Sequence, residues 1–171
     1  MIYMKSRLYS ELIRKKVDTP IQKGKSKLVE ILATQGDGYW VASEVMIESG
    51  LVNRKGRFFP VSEVTYNSNE NRFELDRSLN EGDLGPMDDS ELHLSYLDGK
   101  KIKSHDGKEL GRIYDFELYI DFAPWKVWKI LMDPAKLSPL KRRIKIPTKA
   151  VDKIENKCLV LKKGWKGGGE E

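Results

Sequence analysis

Cysteine, histidine and long apolar runs are scarce in this 171-residue sequence, which holds one cysteine and two histidines. Cys158 has no partner for an internal disulfide, and it stands in the apolar run 158–161, so we expect a buried structural thiol. No segment approaches the roughly 20 apolar residues that a membrane-spanning helix needs. The N-terminus also lacks the basic-then-apolar pattern of a secretion signal. These absences predict a cytoplasmic protein.

Catalytic and metal-binding patterns are missing as well. His93 and His105 have no cysteine pair near them, so the spacing of a zinc site is absent. In Ser104-His105-Asp106, three adjacent side chains of a predicted turn cannot line up as nucleophile, base and orienting group. The phosphate-binding pattern G-x-x-x-x-G-K-[ST] does not occur. We therefore expect a protein that is not an enzyme, with no catalytic residue, metal or cofactor.

Charge is plentiful and unevenly placed. Charged residues make up 33% of the chain and hydrophobic residues 39%, which is enough for a folded core. Residues 1–76 hold 12 basic and 10 acidic side chains, residues 77–91 hold 1 and 5, and residues 92–171 hold 18 and 11. The net charge of the three segments is therefore +2, −4 and +7. A basic second half is typical of proteins that bind nucleic acid, anionic lipid or an acidic protein.

A β-hairpin is predicted over residues 97–122. The Asp106-Gly107 dipeptide tolerates the left-handed backbone of a tight turn, and it separates strand 100–103 from strand 111–122. Alternation in the second strand assigns five side chains to the core: Tyr114, Phe116, Leu118, Ile120 and Phe122. The residues between them are expected to lie mostly in water: Asp115, Glu117, Tyr119 and Asp121. Carboxylates on such a strand face usually form a solvated surface rather than an acid–base pair.

The other apolar runs complete the prediction of an all-β fold. In the first half, strands are expected at residues 12–17, 27–34, 39–47, 57–61 and 72–75. Turns rich in glycine and polar residues separate them, and Pro60 indicates a strand end or an edge strand. Residues 62–64 are expected to form a short helical turn.

Two segments differ from the strands in composition. Residues 77–91 are acidic, with two glycines and a proline, and they predict a linker that touches a domain only through Leu79, Leu84 and Met87. Residues 164–171 form a glycine-rich tail that contains Trp165. This tryptophan has two interpretations, a docked hydrophobic end or an anchor for a partner.

The two halves of the chain repeat each other. A shift of 85 residues places Leu12 on Leu97 and Trp40 on Trp125. Later apolar positions follow at shifts of 87 and 86, with insertions and deletions only in predicted loops. The repeated order of apolar positions indicates an internal duplication. The alternative is a single barrel or sandwich in which the strand spacing coincides.

The second half resembles the PRC-barrel family. The residues that carry the resemblance are Lys101-Ile102, Asp106-Gly107, Glu109-Leu110-Gly111-Arg112-Ile113, Arg143-Ile144-Lys145-Ile146-Pro147 and Cys158-Leu159-Val160-Leu161. The first half departs from this pattern, since residues 22–25 replace the Asp-Gly turn and Ser26 stands in the place of Gly111. The resemblance implies two small PRC-type β-barrels in tandem with short helical turns, a degenerate copy at residues 1–76 and a second copy at 92–163.

A tandem chain of this length is similar to the archaeal PRC-domain cell-division proteins, which bridge to SepF, the membrane anchor of FtsZ. The resemblance implies a non-enzymatic adaptor that binds a SepF-like protein and is recruited to the division site. A homodimer is expected, because each small barrel lies near the lower limit of independent stability. The alternative function is an RNA- or ribosome-associated factor, with the barrel used as in the ribosome-maturation factor RimM. Fold alone does not decide between them.

The tryptophans identify a candidate binding residue. Trp125 and Trp128 are three apart in a predicted strand, so they point to opposite faces. Trp40 and Trp125 share one position of the repeat and are expected to fill the core, whereas Ser43 stands in the place of Trp128. We expect Trp128 either in an interface, where exposed tryptophan is a favoured anchor, or buried between the two barrels.

A basic cluster follows this tryptophan in the sequence: Lys136, Lys141, Arg142, Arg143, Lys145 and Lys149. Its three interpretations are a solvated edge that blocks aggregation, a contact with RNA, and a contact with an acidic protein. The candidate partner-binding residues are Trp128, Lys141, Arg142, Arg143 and Trp165.

Overall fold

The computed structural model describes residues 5–36, 38–49, 55–88, 90–135, 143–155 and 158–165. The protein is all-β, as the sequence predicts. Two helices of one turn each interrupt the strands, α1 (Tyr9–Leu12) and α2 (Leu94–Leu97), together with the 3-10 turns Val61–Glu63, Leu79–Glu81 and Thr148–Ala150. No helix within the described residues is long and apolar enough to cross a membrane.

The strands, in chain order, are β1 Ser6–Leu8, β2 Lys16–Asp18, β3 Ser26–Thr34, β4 Trp40–Ser49, β5 Lys55–Pro60, β6 Val64–Asn67, β7 Arg72–Leu75, β8 Leu92–His93, β9 Lys101–Lys103, β10 Glu109–Tyr119, β11 Trp125–Pro134, β12 Ile144–Pro147, β13 Val151–Glu155 and β14 Cys158–Leu161. In the part of the chain that the structure describes, hydrogen bonds join all of them into one sheet. Its main path runs β13-β14-β9-β10-β11-β4-β3-β2-β7-β6, with β1 on β10, β12 on β11, β5 on β4 and β8 on β3. The division into two separate barrels stays a prediction, because this sheet runs across both halves.

Strand pairing follows the repeat that the sequence predicts. β2 pairs in parallel with β7 through Val17 and Phe73, and β9 pairs in parallel with β14 through Ile102 and Leu159. The antiparallel pairs β3–β4 and β10–β11 agree residue by residue at a shift of 85, including the positions of both register breaks. The shift found from apolar positions therefore matches the hydrogen-bonded register.

The leading segment of each half, a short strand followed by one helical turn, packs on the other half. β1 pairs with β10 through Arg7 and Leu118, while β8 pairs with β3 through Leu92 and Ala33. The helices that follow these strands bring Leu12 and Leu94 into the common core. The two halves thus exchange their leading segments reciprocally.

Asp115 corrects the expectation of a solvated acidic face, because it is buried. The register breaks between Ile113 and Asp115, and such a β-bulge reverses the inward and outward alternation. The Asp115 carboxylate accepts hydrogen bonds from the backbone N–H of Phe116 (2.8 Å) and from the N–H and hydroxyl of Ser10 (3.1 and 2.5 Å). It therefore holds α1 of the first half on β10 of the second.

Glu30 makes the equivalent contact in the first half. Its carboxylate accepts hydrogen bonds from the backbone N–H of Ile31 (3.0 Å), from Ser95 of α2 and from the hydroxyl of Tyr9 (2.6 Å). Burial raises the pKa of Tyr9, and the hydrogen bond to Glu30 raises it further. A buried carboxylate in a bulge thus anchors each exchanged segment.

Strict alternation also assigns Tyr114 and Phe122 to the core, and neither side chain is buried there. Tyr114 is only half-buried, and 56% of the surface of Phe122 is exposed. Phe122 also lies beyond the end of β10, where the chain turns toward β11. The apolar alternation of the predicted hairpin is therefore correct only between the bulge and the end of the strand.

The predicted strand at residues 12–17 is wrong in its first part. Leu12 ends α1, and Arg14 adopts a left-handed backbone with φ of 74° before β2 begins at Lys16. Arg14 still donates a backbone hydrogen bond to the carbonyl of Leu28 at 2.7 Å. The apolar and basic composition of residues 12–17 suits a strand, but Leu12 is the buried last residue of the helical turn α1.

The linker contacts the sheet differently from the prediction. Leu84 and Met87 are exposed (78% and 69%), and of the three predicted contacts only Leu79 packs against the core. Backbone hydrogen bonds between Phe58 and Asp83 (2.8 and 3.0 Å) attach the segment to β5 instead. Its attachment therefore depends on backbone groups, which composition does not reveal.

Candidate partner-binding surface

The two halves meet at the antiparallel pair of β4 and β11 in the middle of the sheet. Its three residue pairs are Trp40–Val127, Val41–Lys126 and Ala42–Trp125. Val41 and Lys126 are equivalent positions of the repeat. The pairing is therefore symmetric, because exchange of the two halves maps each residue pair onto another pair of the same set. This is the self-complementary geometry of an interface with twofold symmetry, here within one chain. Trp40 and Trp125 are buried on either side of it, which confirms them as core residues.

Two equivalent contacts flank this central pair, and we name them the first and second seams. In the first seam, the connection between β3 and β4 lies against the chain at residues 148–152. In the second seam, the connection between β10 and β11 lies against the chain at residues 61–66. The seams correspond to one another at the repeat shifts of 85 and 87.

Polar side chains close the first seam. The carboxamide of Gln35 donates to the carbonyls of Val151 and Asp152, both at 3.2 Å. The buried hydroxyl of Thr148 accepts a hydrogen bond from the backbone N–H of Trp40 (3.0 Å) and donates to the carbonyl of Val127 (2.7 Å). These bonds fix the connection between β3 and β4 on the second half.

Trp128 lies on the outer face of the first seam. Glu117 pairs with Lys129 and Leu118 with Val127, so Trp128 is the extra residue of a bulge in β11. Bulges commonly redirect a side chain. Here Trp128 is half-exposed, whereas Trp125 is buried, which confirms that the two tryptophans point to opposite faces.

Two tyrosines surround this tryptophan. The ring of Tyr39 stacks on Trp128 with 4.7 Å between centroids and 23° between planes. The ring of Tyr119 meets Trp128 edge-on at 5.6 Å. Tyr39 comes from the first half, and Tyr119 and Trp128 come from the second. The aromatic cluster therefore exists only where both halves are present.

Lysines lie over these rings. The ammonium of Lys126 is 4.0 Å from the ring centroid of Tyr39 and 4.5 Å from that of Trp128. The ammonium of Lys149 is 5.0 Å from the Tyr39 centroid. Cation–π contacts of this kind contribute about 0.5–1 kcal/mol each at exposed sites. We name the group Tyr39, Tyr119, Lys126, Trp128 and Lys149 the aromatic–lysine surface.

The charge of this surface is positive and accessible. Neither Lys126 nor Lys149 forms an ion pair with any carboxylate of the described residues. Glu117 of β10 instead forms an ion pair with Lys145 of β12, at 3.2 Å. The surface thus presents two ammonium groups fixed beside the half-exposed edge of an indole, an arrangement that suits carboxylates with an apolar neighbour.

The structure does not bring all the candidate residues together. Arg143 is exposed, lies 4.1 Å from the ring of Tyr114 and is 3.5 Å from Asp133. Arg143 comes directly before the first residue of β12, whereas Lys129 pairs with Pro147, the last residue of that strand. Positions 143 and 147 are roughly 13 Å, or four strand residues, apart. Arg143 therefore belongs to a different part of the surface from Trp128. Lys136, Lys141 and Arg142 lie outside the described residues.

Trp165 follows β14 and packs against the core. Its side chain is half-buried, and its backbone N–H donates to the carbonyl of Lys162 at 3.3 Å. These contacts favour the docked hydrophobic end among the two interpretations of this residue.

Sequence reasoning missed Tyr39, Tyr119 and Lys126. A signal for two of them was available in the repeat, because Tyr39 corresponds to Pro124 and Lys126 corresponds to Val41. Repeat positions whose side chains differ chemically between the halves are candidates for function. The pair Trp128 and Ser43 is one such position, and the pairs that contain Tyr39 and Lys126 are two more. Tyr119 gives the same kind of signal, since it corresponds to Thr34.

A buried pair of carboxyl groups lies elsewhere, between β4 and the linker. Glu44 is fully buried and accepts a hydrogen bond from the backbone N–H of Met87 at 2.9 Å. Glu91 is buried beside it and accepts one from the hydroxyl of Ser43 at 3.4 Å. Burial, followed by the hydrogen bond and negative charge of Glu44, raises the pKa of Glu91 to about 7. The pair therefore holds a proton near neutral pH and fastens the end of the linker to the sheet.

Comparison with known proteins gives no family assignment. No protein-family model matches the sequence. No curated protein matches it either. The PRC-barrel resemblance, and the functions that it implies, therefore stay predictions.

Proposed function

We propose that this protein is a non-enzymatic adaptor and that the aromatic–lysine surface binds a partner protein. The observation that carries the proposal is the placement of Trp128, which lies in a bulge between a tyrosine of the first half and a tyrosine and two lysines of the second. Tryptophan is the residue most enriched among the energetic anchors of protein interfaces. The PRC-barrel resemblance supplies the partner, a SepF-like protein of FtsZ-based division in archaea, and places the adaptor at the division site as a homodimer.

The chemistry of the surface supports a partner with acidic and apolar side chains. Carboxylates of the partner pair with Lys126 and Lys149, and an apolar side chain covers the exposed edge of Trp128. Desolvation at the centre of an interface strengthens cation–π and ionic contacts that are weak in water.

RNA is the second candidate partner, and the lysines beside aromatic rings favour it. Phosphates seek such ammonium groups, and bases stack on open aromatic faces. Tyr39 already stacks on Trp128, and Lys126 lies over both rings. A base therefore has to displace these contacts before it stacks, whereas a carboxylate of a protein does not. This difference ranks a protein partner first.

A pull-down from native lysate tests the proposal. Tagged wild-type protein, Trp128→Ala and the matched control Tyr96→Ala, which alters another exposed aromatic residue, are compared with and without nuclease. We expect SepF-like protein or FtsZ to be retained at high salt and after nuclease by the wild type and the control, and to be lost with Trp128→Ala. Recovery of RNA or ribosomal proteins alone, with release at high salt, contradicts the division function.

A further inference from the structure

β5 and β12 are equivalent strands of the two halves, and each pairs with one long strand. The four residue pairs between β11 and β12 correspond to four pairs between β4 and β5 at the repeat shifts of 85 and 87, and neither ladder has a register break. Phe58 of β5 and Lys145 of β12 therefore stand at the same position. The outer edges of the two strands, which face away from β4 and β11, are equivalent in backbone.

The chain itself covers the outer edge of β5. The backbone N–H of Phe58 donates to the carbonyl of Asp83 at 2.8 Å, and the N–H of Asp83 donates to the carbonyl of Phe58 at 3.0 Å. The guanidinium of Arg57 adds a hydrogen bond to the carbonyl of Gly82 at 3.2 Å. A segment of the acidic linker thus pairs with β5 as a very short added strand.

The outer edge of β12 has no such cover among the described residues. Successive residues of an antiparallel strand direct their backbone groups to opposite sides, so the shared register points the N–H and C=O of Lys145 outward, as it does those of Phe58. Neither group of Lys145 has a backbone partner in the part of the chain that the structure describes. Lys145 is also exposed, whereas Phe58 is buried. The second half therefore offers a donor and an acceptor that are occupied in the first.

The composition of this edge indicates which segment suits it. Residues 143–149 hold three basic side chains and no acidic one, whereas their counterparts at 56–62 hold a single basic side chain. The segment that covers β5 comes from residues 77–91, whose net charge is −4. Pairing of β12 with β12 of a second copy would place these basic side chains opposite one another, which is unfavourable. An acidic segment brings the opposite charge.

The carboxylates of the sheet neutralise this edge only in part. Lys145 contacts Glu117 at 3.2 Å, and Arg143 contacts Asp133 at 3.5 Å. Lys149 is exposed and has no ion pair with a carboxylate of the described residues. Ion pairs at exposed positions are weak, so a further carboxylate can share these cations.

We propose that the outer edge of β12 binds an extended acidic segment of a partner protein, which pairs with the backbone of Lys145 as Asp83 pairs with Phe58. Addition of a strand to a sheet edge is a common mode of peptide recognition, in which the main chain supplies hydrogen bonds and side chains supply specificity. Here Arg143 and Lys149 select acidic side chains on the two sides of the paired residue. The edge does not include Trp128, so this binding is independent of the aromatic–lysine surface.

The linker supplies the probe that tests this edge. A synthetic peptide with the sequence of residues 77–88 is titrated into isotope-labelled full-length protein and followed by NMR. We expect the amide resonance of Lys145 to shift and its exchange with solvent to slow by at least about tenfold, while Phe58, which the chain already covers, stays unchanged. A control peptide with Glu81→Lys and Asp83→Lys is expected to bind at least about tenfold more weakly.

Two variants of the protein separate the backbone from the charge. Lys145→Pro removes the outward N–H, which an edge strand tolerates, and it is expected to weaken binding of the peptide by at least about tenfold. Lys145→Ala keeps this N–H and is expected to weaken binding at most about fivefold. Trp128→Ala is expected to bind the peptide normally. A circular dichroism melt checks that each variant folds, and the titration of the wild type decides the outcome if Lys145→Pro does not.

Four results overturn the proposal. They are an unchanged Lys145 amide in the presence of the peptide, equal binding of the control peptide, equal binding to Lys145→Pro and Lys145→Ala, and an amide of Lys145 that is already protected in the protein alone. The last result places another segment of the chain, or a second copy, at this edge.

Discussion

Gln35 and Thr148 close the first seam with a carboxamide and a hydroxyl, whereas the second seam has Ile120 and Val61 at the same two positions of the repeat. The long strands beside both seams pair in the same register, but β13 has a register break between Val151 and Lys153 that β6 lacks. The seams therefore differ in backbone as well as in side chains. The outer face differs as well, since Trp128 and Lys126 of the first seam correspond to Ser43 and Val41 of the second. The repeated strands thus carry one seam that polar side chains close, with an aromatic and basic exterior, and one seam whose equivalent side chains are apolar. Four predictions test how far the two halves are equivalent.

The largest effect is expected where the halves exchange their leading segments. Asp115→Ala leaves three buried or partly buried donors without their acceptor, including the N–H groups of Ser10 and Phe116. We expect a loss of about 3 kcal/mol in the free energy of unfolding, because unsatisfied buried donors cost roughly 1–3 kcal/mol each. Urea denaturation measures it, with the exposed Asp106→Ala as control. Equal stability of the two variants contradicts an anchoring role for Asp115.

A smaller loss of stability is expected for Gly111→Ala, and its repeat counterpart Ser26 provides the comparison. A Cβ atom at Gly111 lies 2.0 Å from the carbonyl oxygen of Asp133, so Gly111→Ala forces the β10–β11 ladder apart. We expect a loss of about 2 kcal/mol. Ser26→Ala is expected to change stability little, because the Ser26 hydroxyl makes no hydrogen bond within the described residues. Thermal unfolding followed by circular dichroism compares them, and similar shifts for both variants show that the halves are packed alike here.

The hydrogen bonds of Thr148 at the first seam are expected to contribute less to the free energy of unfolding. Thr148→Val removes the acceptor of the Trp40 N–H and the donor to the Val127 carbonyl while it keeps the shape of the side chain. We expect a loss of about 1.5 kcal/mol and faster amide exchange at Trp40. Hydrogen-exchange mass spectrometry reports both seams in one experiment. Unchanged exchange at Trp40 means that the hydroxyl does not hold this seam.

The weakest of the four effects concerns pH, because one proton is involved and other contacts also hold the linker. The pKa of Glu91 is about 7 in the folded protein, above its ordinary value of 4.5, so the folded state binds the proton more tightly. Its contribution to stability is present below pH 4.5 and is lost as pH rises through 7. We expect the free energy of unfolding of the wild type, relative to Glu91→Gln, to fall over this interval. A constant difference between the two proteins excludes the shared proton.

Much of the fold follows from the sequence because strands and core positions are local or repeated features. The expected strands at 27–34 and 72–75 agree with β3 and β7 to within one residue at either end. The shift of 85 that aligned Trp40 with Trp125 also describes the register of the long strands. Periodicity and repetition are both visible in a single sequence, which is why these predictions are correct.

The exchange of leading segments and the bulges could not be predicted. A bulge adds one residue to a strand and leaves no mark in an alternating pattern. Alternation therefore places Asp115 in solvent, and it leaves open whether Trp128 lies in an interface or is buried between the barrels. The ring that stacks on Trp128 comes from a distant segment, and nothing local links Tyr39 to it. Arg143, in contrast, was chosen for its charge alone, and it lies near Asp133 rather than near the tryptophan.

The reciprocal exchange has a consequence for how the chain is assembled. A polypeptide with only one half would leave its leading segment without a strand to pair with, and a second copy of that half would supply one by domain swapping. The full chain is in this sense a fused pair of swapped protomers, in which the linker raises the effective concentration of each half for the other. Once the two copies are fused, their sequences can differ, and only then can one seam gain the polar side chains that the other lacks.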